Sequence, residues 1–260
     1  MVYSPEILCL NASPHLQVFD RPLLQFLAKQ QPVAQWEYQQ TPDEPCSLDT
    51  ALVLLHDYLN HREHPVHLIG HGVSGLLALL YAQRYPERVR SLTLLSVGAY
   101  PAVDWQAQYY AQRQLLPCSR QILLTRMVDM LFGYSSQPMV KALVKILEQD
   151  LDYSLSPHSL VKCMSLAPIQ VTVPLLVCGS VDDAVVDAHQ LRSWREYFSE
   201  EAISQLWVCP GGGYFFHCFY PKQVGEQILS FWRSLPPHRS QPLPTVLTAA
   251  SAPTNSIFTE

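Results

Sequence analysis

The sequence predicts an α/β fold: a mostly parallel central sheet with helices on both faces. Three observations carry this. Residues 65–97 read as strand, tight turn, buried helix and strand. Val66 to Ile69 is a short apolar run, Gly70-His71-Gly72-Val73-Ser74-Gly75 is a sharp turn, Leu76 to Arg84 is an apolar helix followed by Pro86, and Arg90 to Val97 is the next strand. A βαβ unit of this kind makes its two strands parallel. Further apolar runs of strand type, from Glu6 to Leu10, Val33 to Tyr38, Val173 to Gly179 and Ile203 to Cys209, are separated by helical patterns. The 260 residues, 48% of them hydrophobic, can bury a sizeable core and make one ordinary domain, or one domain with an insertion.

The elements follow in order. After the strand Glu6–Leu10, apolar residues 23, 24, 26 and 27 predict a helix from Pro22 to Gln30. The strand Val33–Tyr38 leads into Gln39-Gln40-Thr41-Pro42-Asp43-Glu44, a loop without glycine. Ser47 is the expected N-cap of a helix from Leu48 to Asn60, whose apolar positions 48, 51, 52, 55, 58 and 59 share one face. Beyond Val97, helical patterns span Trp105–Leu115, Ser119–Phe132, Gln137–Leu147 and Pro157–Ser165, with Pro101, Pro117, Pro138 and Pro157 near their starts. Trp105, Tyr109 and Tyr110 either pack this insertion on the core or line a ligand pocket. Helices are expected from Ala188 to Phe198 and from Tyr220 to Ser234 around the strand Ile203–Cys209. From Pro236 the chain is rich in Pro, Ser, Thr and Ala and reads as a disordered tail.

The turn at 70–75 resembles the nucleophile elbow of the α/β-hydrolase family, which reads Gly-His-Ser-x-Gly-Gly. Gly70 and His71 match, Gly75 matches the small residue where helix packs on strand, and Ser74 replaces the second elbow glycine. Gly72 stands at the nucleophile position. The resemblance extends over about residues 6–234. It implies a core of residues 1–97 and 169–235, a helical cap of 98–168, a sheet shortened at its N-terminal edge, and a tail of 236–260.

The same resemblance places three further groups. The run Pro174 to Val186 is similar to the family's acid motif, with Asp182 at the triad acid and Asp183 as fallback. Pro210-Gly211-Gly212-Gly213-Tyr214 is similar to the family's Pro-Gly-x-Gly-His, with Tyr214 in place of the histidine base. Ala12 and Val73 fall at the positions whose backbone N–H groups form the oxyanion hole. A serine nucleophile requires a base in hydrogen-bond reach and an acid to orient it. Glycine offers no attacking oxygen, and a phenol of pKa near 10 is a poor base at neutral pH. The resemblance therefore implies a degenerate triad and a non-catalytic binding or scaffold role, the alternative being a hydrolase or acyltransferase with an unorthodox site. Ser74 and His217 are the residues that could rescue catalysis. Tyr214 is expected to donate its phenol proton to Asp182, which otherwise lacks a partner.

Composition excludes other classes. With 17 Lys and Arg against 22 Asp and Glu, the formal charge is −5, which argues against a nucleic-acid surface. No apolar run approaches the roughly 18 residues of a membrane span. The N-terminus shows no secretory pattern. Seven scattered cysteines have no zinc spacing and suggest a reducing cytosol. His61 and His64 sit in a polar loop, and no His-x-x-x-His pair has a nearby carboxylate, so neither metal nor cofactor is expected. The expected partner is a small apolar ligand or another protein.

Overall fold

The computed structural model describes residues 5–40, 46–100, 103–133, 136–155 and 171–237. Six strands form one sheet: β1 (Ile7–Asn11), β2 (Val33–Glu37), β3 (Val66–His71), β4 (Val89–Leu95), β5 (Leu175–Ser180) and β6 (Ser204–Cys209). Their order is β2-β1-β3-β4-β5-β6, and every pairing is parallel. The chain steps outward from β1 to β2, then returns to β3 on the other side. That reversal opens a crevice at the carboxyl ends of β1 and β3, where open α/β sheets place their sites.

Alternation along the strands makes two cores. Ile7, Cys9, Ile69, Leu176 and Cys178 face one side, against α1 (Gln17–Ala28) and the C-terminal helix Pro221–Ser234. Leu8, Leu10, Leu68, Leu92 and Val177 face the other, against α2 (Leu48–Asn60) and α3 (Gly72–Arg84). Period-two side-chain direction in a doubly covered sheet requires both sets to be apolar. Cys9, Cys178 and Cys209 are buried free thiols, as the apolar runs around them suggest.

Between β4 and β5 run the helices α4 (Trp105–Leu115), α5 (Arg120–Phe132) and α6 (Gln137–Tyr153), the segment expected to form a cap. After β5 come α7 (Ala188–Ser193), then α8 (Phe216–Phe219) and α9 (Pro221–Ser234) behind β6. The expected helix 157–165, the loop residues 41–45, Pro101 and all of the tail beyond Pro237 lie outside the described residues.

Four expectations are corrected. Helix α1 begins at Gln17 rather than Pro22, because a 3-10 turn over Pro14–Leu16 runs directly into it. Pro22 is therefore inside the helix, where it removes one backbone donor. The buried face Phe19, Leu23, Leu24 and Leu27 recovers that loss by packing. Helix α3 starts at Gly72, not Leu76, so the sharp turn is itself the helix N-terminus. Ser47 occupies the N-cap position of α2 but makes no capping hydrogen bond through its side chain. Helix α6 also runs on past Leu147 to Tyr153.

Strand β3 and helix α3 meet backbone to backbone. A Cβ on Gly75 would stand 2.4 Å from Val97 Cγ2 and 2.8 Å from the Gly70 carbonyl oxygen. Glycine is required there by space, as the resemblance implied. Gly75→Ala is expected to destabilise the fold by about 1–3 kcal/mol through overpacking. Urea denaturation should show the midpoint falling at an unchanged slope.

Candidate functional site

The crevice at the carboxyl ends of the strands collects the chemistry-bearing residues. Gly72 follows β3 with φ +51, the left-handed conformation expected of an elbow residue. A Cβ built on it would lie 2.3 Å from the Tyr214 hydroxyl and 3.3 Å from Asp104 Oδ2. The phenol thus fills the space that a side chain at position 72 would enter.

Tyr214 reaches this point from the turn after β6. Gly212 and Gly213 have φ of +102 and +58, which only glycine adopts cheaply, and they aim the following residue back across the crevice. The Tyr214 hydroxyl donates to Asp104 Oδ2 at 2.9 Å. The other carboxylate oxygen of Asp104 accepts from the Gln106 N–H at 2.8 Å, capping α4. One aspartate therefore starts the cap helices and fastens them to the elbow. Burial pushes the Asp104 carboxyl up to about 6, against the opposing bonds from Gln106 and Tyr214. Burial and then the Asp104 charge push the phenol well above its ordinary value, so it stays protonated.

The expected bond from Tyr214 to Asp182 is not formed. Asp182 accepts from the backbone N–H of Gly212 at 3.2 Å and of Gly213 at 2.9 Å, and from the Ser180 hydroxyl. Burial raises its pKa, but these bonds outweigh it and leave the carboxyl below its usual range. Its role is to clamp the glycine turn. Asp183 is the buried member of the pair. Its Oδ1 accepts from the Val185 and Val186 N–H at 2.8 and 3.0 Å, and its Oδ2 lies 2.9 Å from the Ser96 hydroxyl. Burial brings it up to about 6. Ser96 has φ +45 and its hydroxyl is also 2.9 Å from the Tyr214 carbonyl, so one proton serves two acceptors.

The oxyanion and rescue positions are engaged elsewhere. The Ala12 N–H donates to Ser74 Oγ at 2.8 Å, which takes up the donor expected to be free for an oxyanion. The neighbouring Ser13 N–H donates to Asn11 Oδ1 at 3.0 Å. Val73 sits in the first turn of α3, where N–H groups lack intrahelical partners. His217 Nε2 pairs with Asp20 Oδ1 at 2.9 Å, and His71 Nε2 with the Tyr214 carbonyl at 2.9 Å. Ser74 and His217 are thus held by different partners rather than by each other. Burial, then the His217 charge, hold His71 well below its ordinary pKa, with the bond to Tyr214 opposing.

The void among Asn11, Asp20, His71, Gly72, Asp104 and Tyr214 is about 10 Å³, room for one water. Trp105 and Tyr109 are buried within the larger hydrophobic cluster. Asp104, Ser96 and Asp20 were not among the residues expected to form the site. Asp104 had a signal, an aspartate directly before a helical pattern, but the signal speaks of capping and not of Tyr214.

Asp104 has a pH signature. Its folded pKa of about 6 exceeds the ordinary 3.8. Between those values the folded state holds the proton and the unfolded state does not, so stability falls as pH rises through the window. The charged form costs the fold on the order of 3 kcal/mol above pH 6. Asp104→Asn is expected to lose this component of the decline. Urea unfolding at pH 4.5 and 7.5 should show the variant gaining on the wild type at the higher pH.

Residues 59–124 match the family model described as alpha/beta hydrolase fold. The chain is 48% identical over 229 residues to the uncharacterized protein sll0249 of Synechocystis sp. PCC 6803, covering 88% of this chain and 90% of that protein. It is 44% identical over 228 residues to the uncharacterized protein alr2406 of Nostoc sp. PCC 7120, with the same coverage of 88% and 90%. Among solved structures it is similar to olei00960, a hydrolase from Oleispira antarctica, at a TM-score of 0.67 and 15% identity over 90% of this chain and 92% of that one. No helix among the described residues is long and apolar enough to cross a membrane. The parallel sheet, the glycine elbow after β3 and these likenesses agree: the chain has the α/β-hydrolase fold and belongs to one family with the cyanobacterial proteins sll0249 and alr2406.

Proposed function

We propose that this chain is a non-catalytic α/β-hydrolase-fold protein that works by binding, as a scaffold or partner protein. Gly72 takes the nucleophile position and Tyr214 the base position, so the triad is degenerate. Asp183, buried and bonded to Ser96, whose hydroxyl also reaches the Tyr214 carbonyl, is a better counterpart of the triad acid than Asp182, which is spent on the glycine turn. The observation that carries this reading is the Tyr214 hydroxyl lying where a side chain at position 72 would project. It supports a site that has been filled, not merely one that lost an atom.

Ligand pockets commonly enclose about 300–1,000 Å³, whereas the crevice holds about 10 Å³. A small apolar ligand there would need the cap to lift. The reading therefore favours a protein partner at the surface. A cytosolic setting goes with the six free cysteines among the described residues. The alternative, a hydrolase with an unorthodox site, draws on Ser96, a strained non-glycine residue beside Asp183. Ser96 is fully buried, which counts against it as a nucleophile.

A panel of p-nitrophenyl esters and a fluorophosphonate label test the proposal. The wild type is expected to release no nitrophenol above the buffer rate and to take up no label. Turnover that disappears in Ser74→Ala or Ser96→Ala would overturn the non-catalytic reading.

A further inference from the structure

We propose that Asp20, His71 and His217 form a binding site for one divalent transition-metal ion of the zinc type, in the crevice wall beside Gly72. The site is independent of whether the fold is catalytic. The three residues are far apart in sequence and come from separate elements: the first turn of α1, the end of β3, and α8. Folding brings one ligand atom from each within 4.8 Å of the others. Spacing along the chain could not reveal this, which is why no metal was expected.

The donor set is two imidazoles and one carboxylate. Imidazole suits zinc, cobalt and nickel, whereas magnesium and calcium prefer oxygen alone. Tetrahedral zinc, with bonds of about 2.0–2.1 Å, sets its ligand atoms about 3.4 Å apart. The Asp20 and His217 atoms are already closer than that, at 2.9 Å. The widest separation, at most 4.8 Å, must close by up to about 1.4 Å. Asp20 can supply the movement, since its side chain is 15% exposed at the crevice edge while His217 is fixed and buried.

The surroundings support a ligand role. The His71 Nε2–H donates to the Tyr214 carbonyl, which leaves the lone pair on Nδ1. Metal-binding histidines are typically held this way, by a bond from the second ring nitrogen to a carbonyl or carboxylate. His217 presents its Nε2 toward Asp20, while its Nδ1 faces away from the ion and has no hydrogen-bond partner among the described residues. The void lined by Asp20 and His71 has room for one water, the fourth ligand of an open zinc site. The simpler possibility is a metal-free clamp, in which the Asp20–His217 bond and the His71–His217 ring contact at 4.5 Å only tie α1 to α8.

Titration of the chelator-stripped full chain with cobalt chloride, followed by zinc chloride, distinguishes the two. Calorimetry should give one ion per chain, and cobalt should develop the visible bands of tetrahedral coordination, which zinc then abolishes. Asp20→Asn and His71→Asn should each weaken binding by about 10–100-fold, with circular dichroism unchanged. The double variant His61→Asn with His64→Asn should bind like the wild type. Because His217 is buried and its variants risk unfolding, Asp20→Asn carries the test. Absence of saturable binding, or equal affinity in a folded Asp20→Asn chain, would leave only the clamp and overturn the proposal.

Discussion

The crevice depends on one hydrogen bond, from the Tyr214 phenol to Asp104, made directly over the bare α-carbon of Gly72. It joins three parts of the chain: the turn after β6, the start of the cap helices and the elbow. Both partners are buried, so the bond is made in a medium where an unpaired carboxylate or hydroxyl would be costly. The elbow glycine is what makes room for it. A larger residue at 72 and a phenol at 214 compete for the same volume.

The other contacts serve to hold that phenol in place. Asp182 grips the Gly212–Gly213 turn from below. His71 and Ser96 both bond to the Tyr214 carbonyl. Ser74 takes the N–H of Ala12, so the loop after β1 is tied to helix α3. These bonds tie the wall residues of the crevice to one another. Three buried carboxyls, on Asp104, Asp150 and Asp183, are each raised to about 6 by burial, a cost borne by the fold and offset by its two apolar cores.

The sheet was legible because strand and helix periods are local. Val66 to Ile69 and Leu175 to Ser180 are apolar runs of strand length, and the 70–75 turn marked the elbow. The start of α1 was not legible, since Pro22 reads as a helix start and only the preceding 3-10 turn makes it interior. Within the site, the glycine and the tyrosine could be read from the motifs, but the partner of the tyrosine could not. Asp182 and Asp183 are adjacent in the turn after β5, and one bonds to the glycine turn while the other bonds to Ser96. Asp104 and Asp20 lie in segments whose approach to the elbow depends on how the cap and α1 pack, which no short-range pattern encodes.

The account rests on the phenol of residue 214 occupying the space next to residue 72. A double-mutant cycle measures this directly, using urea unfolding of the wild type, Gly72→Ala, Tyr214→Phe and the double variant. The strain of alanine at φ +51 is common to both backgrounds and cancels. If the hydroxyl blocks the site, Gly72→Ala costs at least about 1 kcal/mol less in the Tyr214→Phe background, a coupling typical of residues in contact. Additive effects within about 0.3 kcal/mol would contradict the account, because the two positions would then not share the space.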